Sequence, residues 1–273
     1  MKTPSFLYGT AWKEEETERC VVDALHAGFR GIDTANQRRH YFEAGVGTAL
    51  AKVYSEGLVT RKDLFLQTKF TYLRGQDQRL PYDPAARASE QVKQSFASSL
   101  EHLSTDYIDS YVLHGPSSSY GLTPDDWAVW GTMEELHQAG KTKLLGVSNV
   151  NLGQLRELYA KAQVKPSFVQ NRCYARLGWD KDVRTFCKDN KITYQGFSLL
   201  TANQEIFQNP RFNEVVQRVG CTPAQTVFSF SRQIGMLPIT GTTDPVHMKE
   251  DLESLHVELS PNDIQVIESI ALG

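Results

Sequence analysis

The chain has 273 residues, of which 40% are hydrophobic and 22% are charged. This is enough apolar material for one full core, so we predict a single domain over 1–273. A net charge of −3 and the lack of a long uncharged apolar run argue against nucleic-acid and membrane partners.

We expect a cytoplasmic protein, because the N-terminus lacks the apolar core of a signal peptide. The cysteines, Cys20, Cys173, Cys187 and Cys221, are scattered without metal-ligand spacing. We interpret them as reduced thiols and predict no metal site.

Short apolar runs of β-type residues alternate with helix-like stretches along the whole chain. In chain order the predicted strands are 6–9, 29–33, 64–69, 107–114, 142–148, 167–171, 192–198 and 237–240. Segments 90–103 and 151–162 carry apolar residues at helical spacing, and 201–232 is long enough for extra helices. Such alternation indicates a parallel sheet, and eight units predict an α/β fold closed into a (β/α)8 TIM barrel.

Helix punctuation agrees with this division. Asn151, Thr222 and Ser260 stand where N-caps are expected, and the last two precede proline. Gly28 and Gly140 follow helical stretches, where glycine tolerates a positive φ.

Charged or titratable residues end three of the predicted strands. Asp33, Lys69 and His114 each follow an apolar run and precede a helical stretch. In a closed parallel barrel the carboxyl ends of the strands share one mouth, where catalytic residues lie. An acid, an amine and an imidazole are therefore predicted to converge there.

The chain resembles the aldo-keto reductase family over essentially its full length. The motifs are GFRGIDTA (28–35), GVG (45–47), QTK (67–69), YIDSYVLHGP (107–116), GVSN (146–149), VQN (169–171) and GFS (196–198). The resemblance implies reduction of aldehydes or ketones by hydride transfer from NADPH, with NAD(H) as the alternative. It also implies that Asp33 holds Lys69, which lowers the pKa of a tyrosine that protonates the carbonyl oxygen, while His114 orients the carbonyl.

The segment that would hold the proton donor departs from the family pattern. The family pattern after the aspartate is roughly Ala-x-x-Tyr-x-Asn-Glu, but this segment is two residues longer and has Phe42 before Glu43. Counting back from Glu43 selects His40, with Tyr41 beside it. Neighbours on a helix start point about 100° apart, so both cannot serve. We predict Tyr41 as the catalytic donor and keep His40 as the alternative.

The resemblance further implies a cofactor lying across the strand ends. Ser148, Asn149 and Gln170 would hold the nicotinamide carboxamide, with Asn171 as the alternative to Gln170, and Phe197 would stack on the ring. The other predicted contacts are Gly9, Thr10, Ser198, Leu200, Gly241, Thr242, His247, Glu250 and Asp251. Gly241 and His247 replace a lysine and an arginine that hold the 2′-phosphate in the family.

The substrate is predicted to be a small carbonyl compound, bound beside His114 and walled by Trp12. The family's long C-terminal loop is absent from the sequence, so we expect an open pocket. We also expect a monomer or weak homodimer. Two other functions stay open at this point. One is a cofactor-binding regulatory subunit with little turnover, and the other is a Schiff-base aldolase acting through Lys69.

Overall fold

The computed structural model describes residues 3–270, which form a closed barrel of parallel strands. The strands are β1 Leu7–Gly9, β2 Gly31–Asp33, β3 Phe65–Phe70, β4 Ile108–Leu113, β5 Thr142–Ser148, β6 Phe168–Arg172, β7 Thr193–Phe197 and β8 Met236–Thr240. Each strand pairs with the next along the chain, and β8 pairs back with β1. The predicted (β/α)8 barrel is confirmed.

The α-helices lie between and after the strands. Within the described residues they are α1 Thr17–Ala27, α2 Glu43–Ser55, α3 Ala88–His102, α4 Pro124–Gln138, α5 Leu152–Lys161, α6 Lys181–Asp189, α7 Pro210–Val219, α8 Pro223–Gln233, α9 Pro245–Glu253 and α10 Pro261–Ser269. The long interval predicted to hold extra helices contains a 3-10 helix, Gln204–Gln208, and two α-helices, α7 and α8, where a single βα unit needs one helix. None of the helices in 3–270 has both the length and the apolar character needed to cross a membrane.

The predicted helix caps are confirmed. The side chains of Asn151, Thr222 and Ser260 each accept a hydrogen bond from the backbone N–H three residues further on. Gly28 and Gly140 follow α1 and α4 with φ values of 121° and 70°. The left-handed turn at Gly28 also explains why β2 begins two residues later than predicted, since the N–H of Phe29 still bonds to α1.

The inside of the barrel changes from apolar to polar towards the carboxyl ends of the strands. Near the amino ends, side chains of four strand residues join one apolar cluster: Leu7, Phe65, Phe168 and Leu237. Ile239 extends this cluster towards the carboxyl end of β8. Side chains two residues apart on a strand share a face. Gln67 and Gln170 therefore lie next on the inner face, followed by Lys69 on β3 and Arg172 on β6. This polar side of the barrel carries the candidate site.

Candidate active site

Asp33 and Lys69 form a buried ion pair at the ends of β2 and β3. The Lys69 ammonium lies 2.7 Å from both Asp33 carboxylate oxygens and also donates to the carbonyl oxygen of Thr34 at 2.8 Å. Lys69 is fully buried and Asp33 almost fully. Burial lowers the pKa of Lys69, and the Asp33 carboxylate opposes that shift.

Tyr41 and His114 lie next to this pair. The Lys69 ammonium is 5.1 Å from the centroid of the Tyr41 ring, and the Tyr41 and His114 rings meet edge-on at 5.9 Å. The Nδ1 atom of His114 hydrogen bonds to the Thr71 hydroxyl at 2.6 Å. Burial, followed by the nearby Lys69 charge, lowers the pKa of His114 to about 3, so the imidazole is neutral at physiological pH.

The Tyr41 hydroxyl does not have the lowered pKa that the resemblance implies. Burial, reinforced by the Asp33 charge, raises the pKa of Tyr41 well above its ordinary value. The Lys69 ammonium lies beside the Tyr41 ring, but the Asp33 carboxylate that it contacts opposes its effect on the pKa of the phenol without abolishing it. Tyr41 is therefore a protonated acid throughout the physiological range.

His40, the alternative donor, occupies the rim. Its ring stacks against Trp12 at 3.9 Å between centroids, with 37° between the planes. Trp12 is 70% exposed. Burial and the neighbouring Arg39 lower the pKa of His40. Both rings face the same cavity as Tyr41, but no hydrogen bond or close ring contact within 3–270 joins His40 to the Asp33–Lys69 pair.

One cavity of about 1440 Å³ extends from Asp33 to the helix that follows β8. It is lined by all the predicted catalytic and substrate residues except the buried Lys69. The predicted cofactor residues on its wall are Gly9, Ser148, Asn149, Gln170, Phe197, Ser198, Leu200, Gly241, Thr242, His247, Glu250 and Asp251. Thr10 does not line it, because its buried hydroxyl donates to the carbonyl oxygen of Asp33 at 3.2 Å.

The candidate carboxamide ligands cluster where β5 and β6 end. The Ser148 hydroxyl donates to the Gln170 carbonyl oxygen at 2.7 Å, and the Asn149 amide donates to the His114 carbonyl oxygen at 2.8 Å. The side-chain amide of Gln170 donates to Asp33 Oδ1 at 3.0 Å. The side chain of Asn171 is engaged with the backbone of Val150 instead, as donor at 2.9 Å and acceptor at 3.0 Å.

Strained backbone occurs at several points of the cavity wall. Trp12, Asn149 and Ser198 have φ values of 62°, 52° and 57°. A positive φ is uncommon for residues other than glycine and costs about 1–3 kcal/mol where it occurs. All three line the cavity, Asn149 and Ser198 directly after β5 and β7 and Trp12 three residues after β1. Such strain at several points of one pocket is typical of a functional site.

Lys13 is a cavity residue that the sequence analysis missed. Its ammonium is nearly buried and donates to the Gly241 carbonyl oxygen at 2.7 Å. Lys13 thus places a cation beside Gly241, where the family pattern has a lysine, from the loop after β1. Burial lowers the pKa of Lys13 to about 8, which leaves it mainly protonated at neutral pH. No sequence motif marks this position.

The part of the wall formed by α9 and the loop before it is exposed and poor in cations. His247 lies 3.9 Å from the Asp244 carboxylate, and both side chains are at least half exposed. Asp251, in contrast, is buried and accepts a hydrogen bond from the Thr240 hydroxyl at 2.7 Å. Burial raises the pKa of Asp251 to about 6. Asp244 and Asp251 therefore lie near His247, and Glu250 lies on the same wall.

Two buried glutamines beneath the site were not predicted from the sequence. Gln67 and Gln195 are fully buried, and their amides bond to each other at 2.8 and 3.0 Å. Gln67 also donates to Asp33 Oδ1 at 2.7 Å. Period-two alternation could have revealed both residues, because each lies two positions before a predicted site residue, Lys69 or Phe197.

Comparison with known proteins identifies the family. The model of the aldo/keto reductase family matches residues 5–272. The NAD(P)H-dependent 6′-deoxychalcone synthase of Glycine max is 28% identical, over 94% of this chain and 82% of that protein. The glyoxal reductase of Bacillus subtilis is also 28% identical, over 93% of this chain and 83% of its own length.

A solved structure shows the same fold. An aldo-keto reductase crystallised with NADPH superposes with a TM-score of 0.84 and 24% identity, covering 98% of this chain and 84% of that one. The family match over nearly the whole chain agrees with the parallel barrel and with the strand-end residues described above. This chain belongs to the aldo/keto reductase family.

Proposed function

We propose that this protein reduces aldehydes or ketones to alcohols, with NADPH as the hydride donor. The observation that carries the proposal is the grouping of Asp33, Lys69, Tyr41 and His114 at one end of a large cavity. Membership of the family and the resemblance to a glyoxal reductase support carbonyl reduction.

A nicotinamide dinucleotide fits the groups that line the cavity. The volume of about 1440 Å³ exceeds what a single small ligand needs. At the strand ends, hydroxyl and amide groups of Ser148, Asn149 and Gln170 match the donors and acceptors of a carboxamide. Phe197 offers a flat apolar face, and Lys13 offers a cation for phosphate. Bound NADPH would supply the hydride that reduces the carbonyl carbon.

Tyr41 then acts as the general acid. Its hydroxyl is protonated at physiological pH, so it can pass a proton to the oxygen of the carbonyl as negative charge develops there. The raised pKa of the phenol weakens it as an acid, and the neighbouring ammonium opposes that effect. The Lys69 ammonium beside the ring stabilises the resulting phenolate, and Asp33 holds that ammonium in place. Neutral His114 orients the carbonyl through a ring nitrogen, since Thr71 fixes its Nδ1 side.

NADPH is favoured over NADH by two features, although the wall near α9 is poor in cations. Lys13 supplies a charge close to Gly241, and an NADPH-bound structure shares this fold. The 2′-phosphate would lie towards Thr242 and His247, where hydroxyl and imidazole groups are exposed to the cavity. Titration of the protein with both dinucleotides by calorimetry tests this preference, and tighter binding of NADH would contradict it.

A pair of matched variants tests the proton donor. Tyr41→Phe removes one hydroxyl and keeps the ring, and we expect NADPH-dependent reduction of a panel of aldehydes and ketones to fall by about 10²–10⁴-fold. His40→Phe keeps the stack with Trp12, and we expect turnover to stay within about threefold of the wild type, in keeping with a group outside the chemical step.

The outcomes separate the candidate functions. Loss of turnover in His40→Phe but not in Tyr41→Phe would transfer the role of donor to His40. Dinucleotide binding by the wild type without reduction of any carbonyl in the panel would indicate a regulatory subunit instead. Trapping of a carbonyl compound on Lys69 by borohydride would indicate Schiff-base chemistry.

A further inference from the structure

We propose that Gln67 and Gln195 are positioning residues that fix the orientation of the Gln170 amide and of the Asp33 carboxylate. The proposal rests on the function proposed above and assigns to this site two residues that do not line the cavity. Both lie on the inner face of the barrel, one layer beneath the reacting groups.

The contacts form a closed network around one carboxylate oxygen. Asp33 Oδ1 accepts hydrogen bonds from Lys69 at 2.7 Å, Gln67 at 2.7 Å and Gln170 at 3.0 Å. The Gln195 Oε1 atom accepts from the amides of Gln67 at 2.8 Å and Gln170 at 2.9 Å. Gln195 in turn donates to Gln67 Oε1 at 3.0 Å.

The charge of Asp33 determines the orientation of all three amides. A carboxylate only accepts hydrogen bonds, so Gln67 and Gln170 must present their nitrogen atoms to it. Gln195 must then turn its oxygen towards these nitrogens, which leaves its own nitrogen facing Gln67 Oε1. Reversing any one amide would place two donors or two acceptors against each other in a buried site, which is costly.

Gln170 is the member of this network that reaches the cavity. Both N–H groups of its side chain are used, one on Asp33 and one on Gln195. Its Oε1 atom has no donor within residues 3–270, so only an acceptor is left for a ligand. A carboxamide bound there must offer its NH₂ group to Gln170, which selects one orientation of the nicotinamide ring and therefore one hydride face.

An apolar layer would hold the barrel together equally well. The layer beneath, which includes Phe65 and Phe168, fills the same barrel without polar groups. Buried polar networks are costly unless every member is satisfied. Here nearly every polar atom of the network has a partner, and the network contacts both the Asp33–Lys69 pair and Gln170, which lines the cavity. We therefore infer that it serves the site.

The first test removes the bridging amide. Gln195→Met keeps the side-chain length but removes the hydrogen bonds of Gln195 to both Gln67 and Gln170. One N–H of Gln170 is then left without its partner, so this amide can rotate. We expect NADPH affinity, measured by calorimetry, to fall about five- to tenfold, the usual effect of one lost hydrogen bond. With NADPH deuterated on one face, we also expect the deuterium transferred to product to become mixed.

The matched control is Gln91→Met. Gln91 is also largely buried, but its amide donates to loop carbonyls before α3, away from the cavity. Its variant should bind NADPH as the wild type does and retain hydride-face selectivity. If Gln195→Met matches the wild type within twofold in affinity and retains full face selectivity, the proposal is overturned.

A second test uses charge at Gln67. In Gln67→Glu a carboxyl group replaces the amide against Asp33, and burial plus the like charge raise its pKa. Below that pKa the protonated Glu can still donate to Asp33, and above it two carboxylates face each other. We therefore expect this variant to lose kcat as pH rises across a range in which the wild type is constant. An unchanged pH profile would count against the proposal.

Failure of the proposed function can be told apart from failure of this inference. A wild-type protein that reduces no carbonyl but binds NADPH would reject the function, while the calorimetric comparison of Gln195→Met with Gln91→Met still decides the inference. Normal wild-type turnover with unaffected variants would reject the inference alone. If Gln67→Glu does not fold, Gln195→Met remains the decisive variant.

Discussion

The two ends of the cavity are built in opposite ways. The end at Asp33, which includes Lys69, is buried, and its charged groups are matched by partners within hydrogen-bond distance. The end at His247, which includes Gly241 and Thr242, is formed by partly or largely exposed groups with few cations. At the buried end, we expect most substitutions to lower stability, because each would leave a buried polar group without its partner. The exposed end can exchange side chains at little cost in stability, which is how a shared fold can vary its cofactor preference.

Two buried aspartates make the contrast specific. Asp33 at one end and Asp251 at the other are both almost fully buried. Asp33 has an ammonium partner and two amide donors, whereas Asp251 accepts from the Thr240 hydroxyl and has its pKa raised to about 6. Pairing compensates the buried charge in the first case, and partial protonation reduces it in the second.

The largest effect is expected from breaking the ion pair. Lys69→Met leaves the Asp33 charge buried without its cation, and we expect about 3–5 kcal/mol less unfolding free energy in urea, together with loss of reductase activity. The double variant Asp33→Asn with Lys69→Met should recover much of this stability but no activity. His247→Ala, at the other end, should change stability by less than about 0.5 kcal/mol. Equal losses of unfolding free energy in Lys69→Met and His247→Ala would contradict the contrast between the two ends of the cavity.

An intermediate effect is expected at Asp251. A raised pKa means that the folded state binds the proton more tightly than the unfolded state, so stability is lost as pH rises from about 4 through about 6. Asp251→Asn keeps an oxygen for the Thr240 hydroxyl and cannot ionise. We expect it to stabilise the protein by about 1–3 kcal/mol near pH 8 and hardly at all near pH 4. Urea unfolding at both pH values measures this, and a pH-independent difference would exclude the explanation.

The smallest effect concerns cofactor choice. His247→Arg adds a permanent cation with bidentate geometry to the exposed end of the cavity, where Asp244 is the nearby acid. We expect NADPH affinity to rise about five- to tenfold, in line with one charge-assisted hydrogen bond, and NADH affinity to stay within about twofold. Calorimetric titration with both dinucleotides checks this. An equal rise in affinity for NADPH and NADH would mean that the new cation contacts the pyrophosphate, which both dinucleotides contain.

The barrel and the placement of most site residues could be predicted because each depends on a local pattern. Apolar runs, caps such as Asn151 and Thr222, and alternation along the chain specify the elements. Strand ends then bring Asp33, Lys69 and His114 to one mouth, which the parallel topology requires. The family motifs predicted most of the named residues that line the cavity.

What could not be predicted depends on contacts between distant segments. The Lys13 ammonium donates a hydrogen bond to the backbone of Gly241, which is 228 residues away in the sequence, and no motif predicts this contact. The raised pKa of Tyr41 depends on burial and on the nearby Asp33 charge, which the spacing of residues in the sequence does not reveal. Thr10 follows a strand end yet turns inward to the Asp33 backbone. Such features follow only from the packed side chains.

The exposed ring of Trp12 gives the protein an optical reporter. Its indole lies against His40 at the cavity wall, whereas Trp130 and Trp179 are buried away from solvent. A ligand entering the cavity would change the solvent around Trp12 while those two indoles keep their surroundings. Intrinsic fluorescence should therefore follow occupancy of the site without a dye, and Trp12→Phe would identify the fraction of emission that responds.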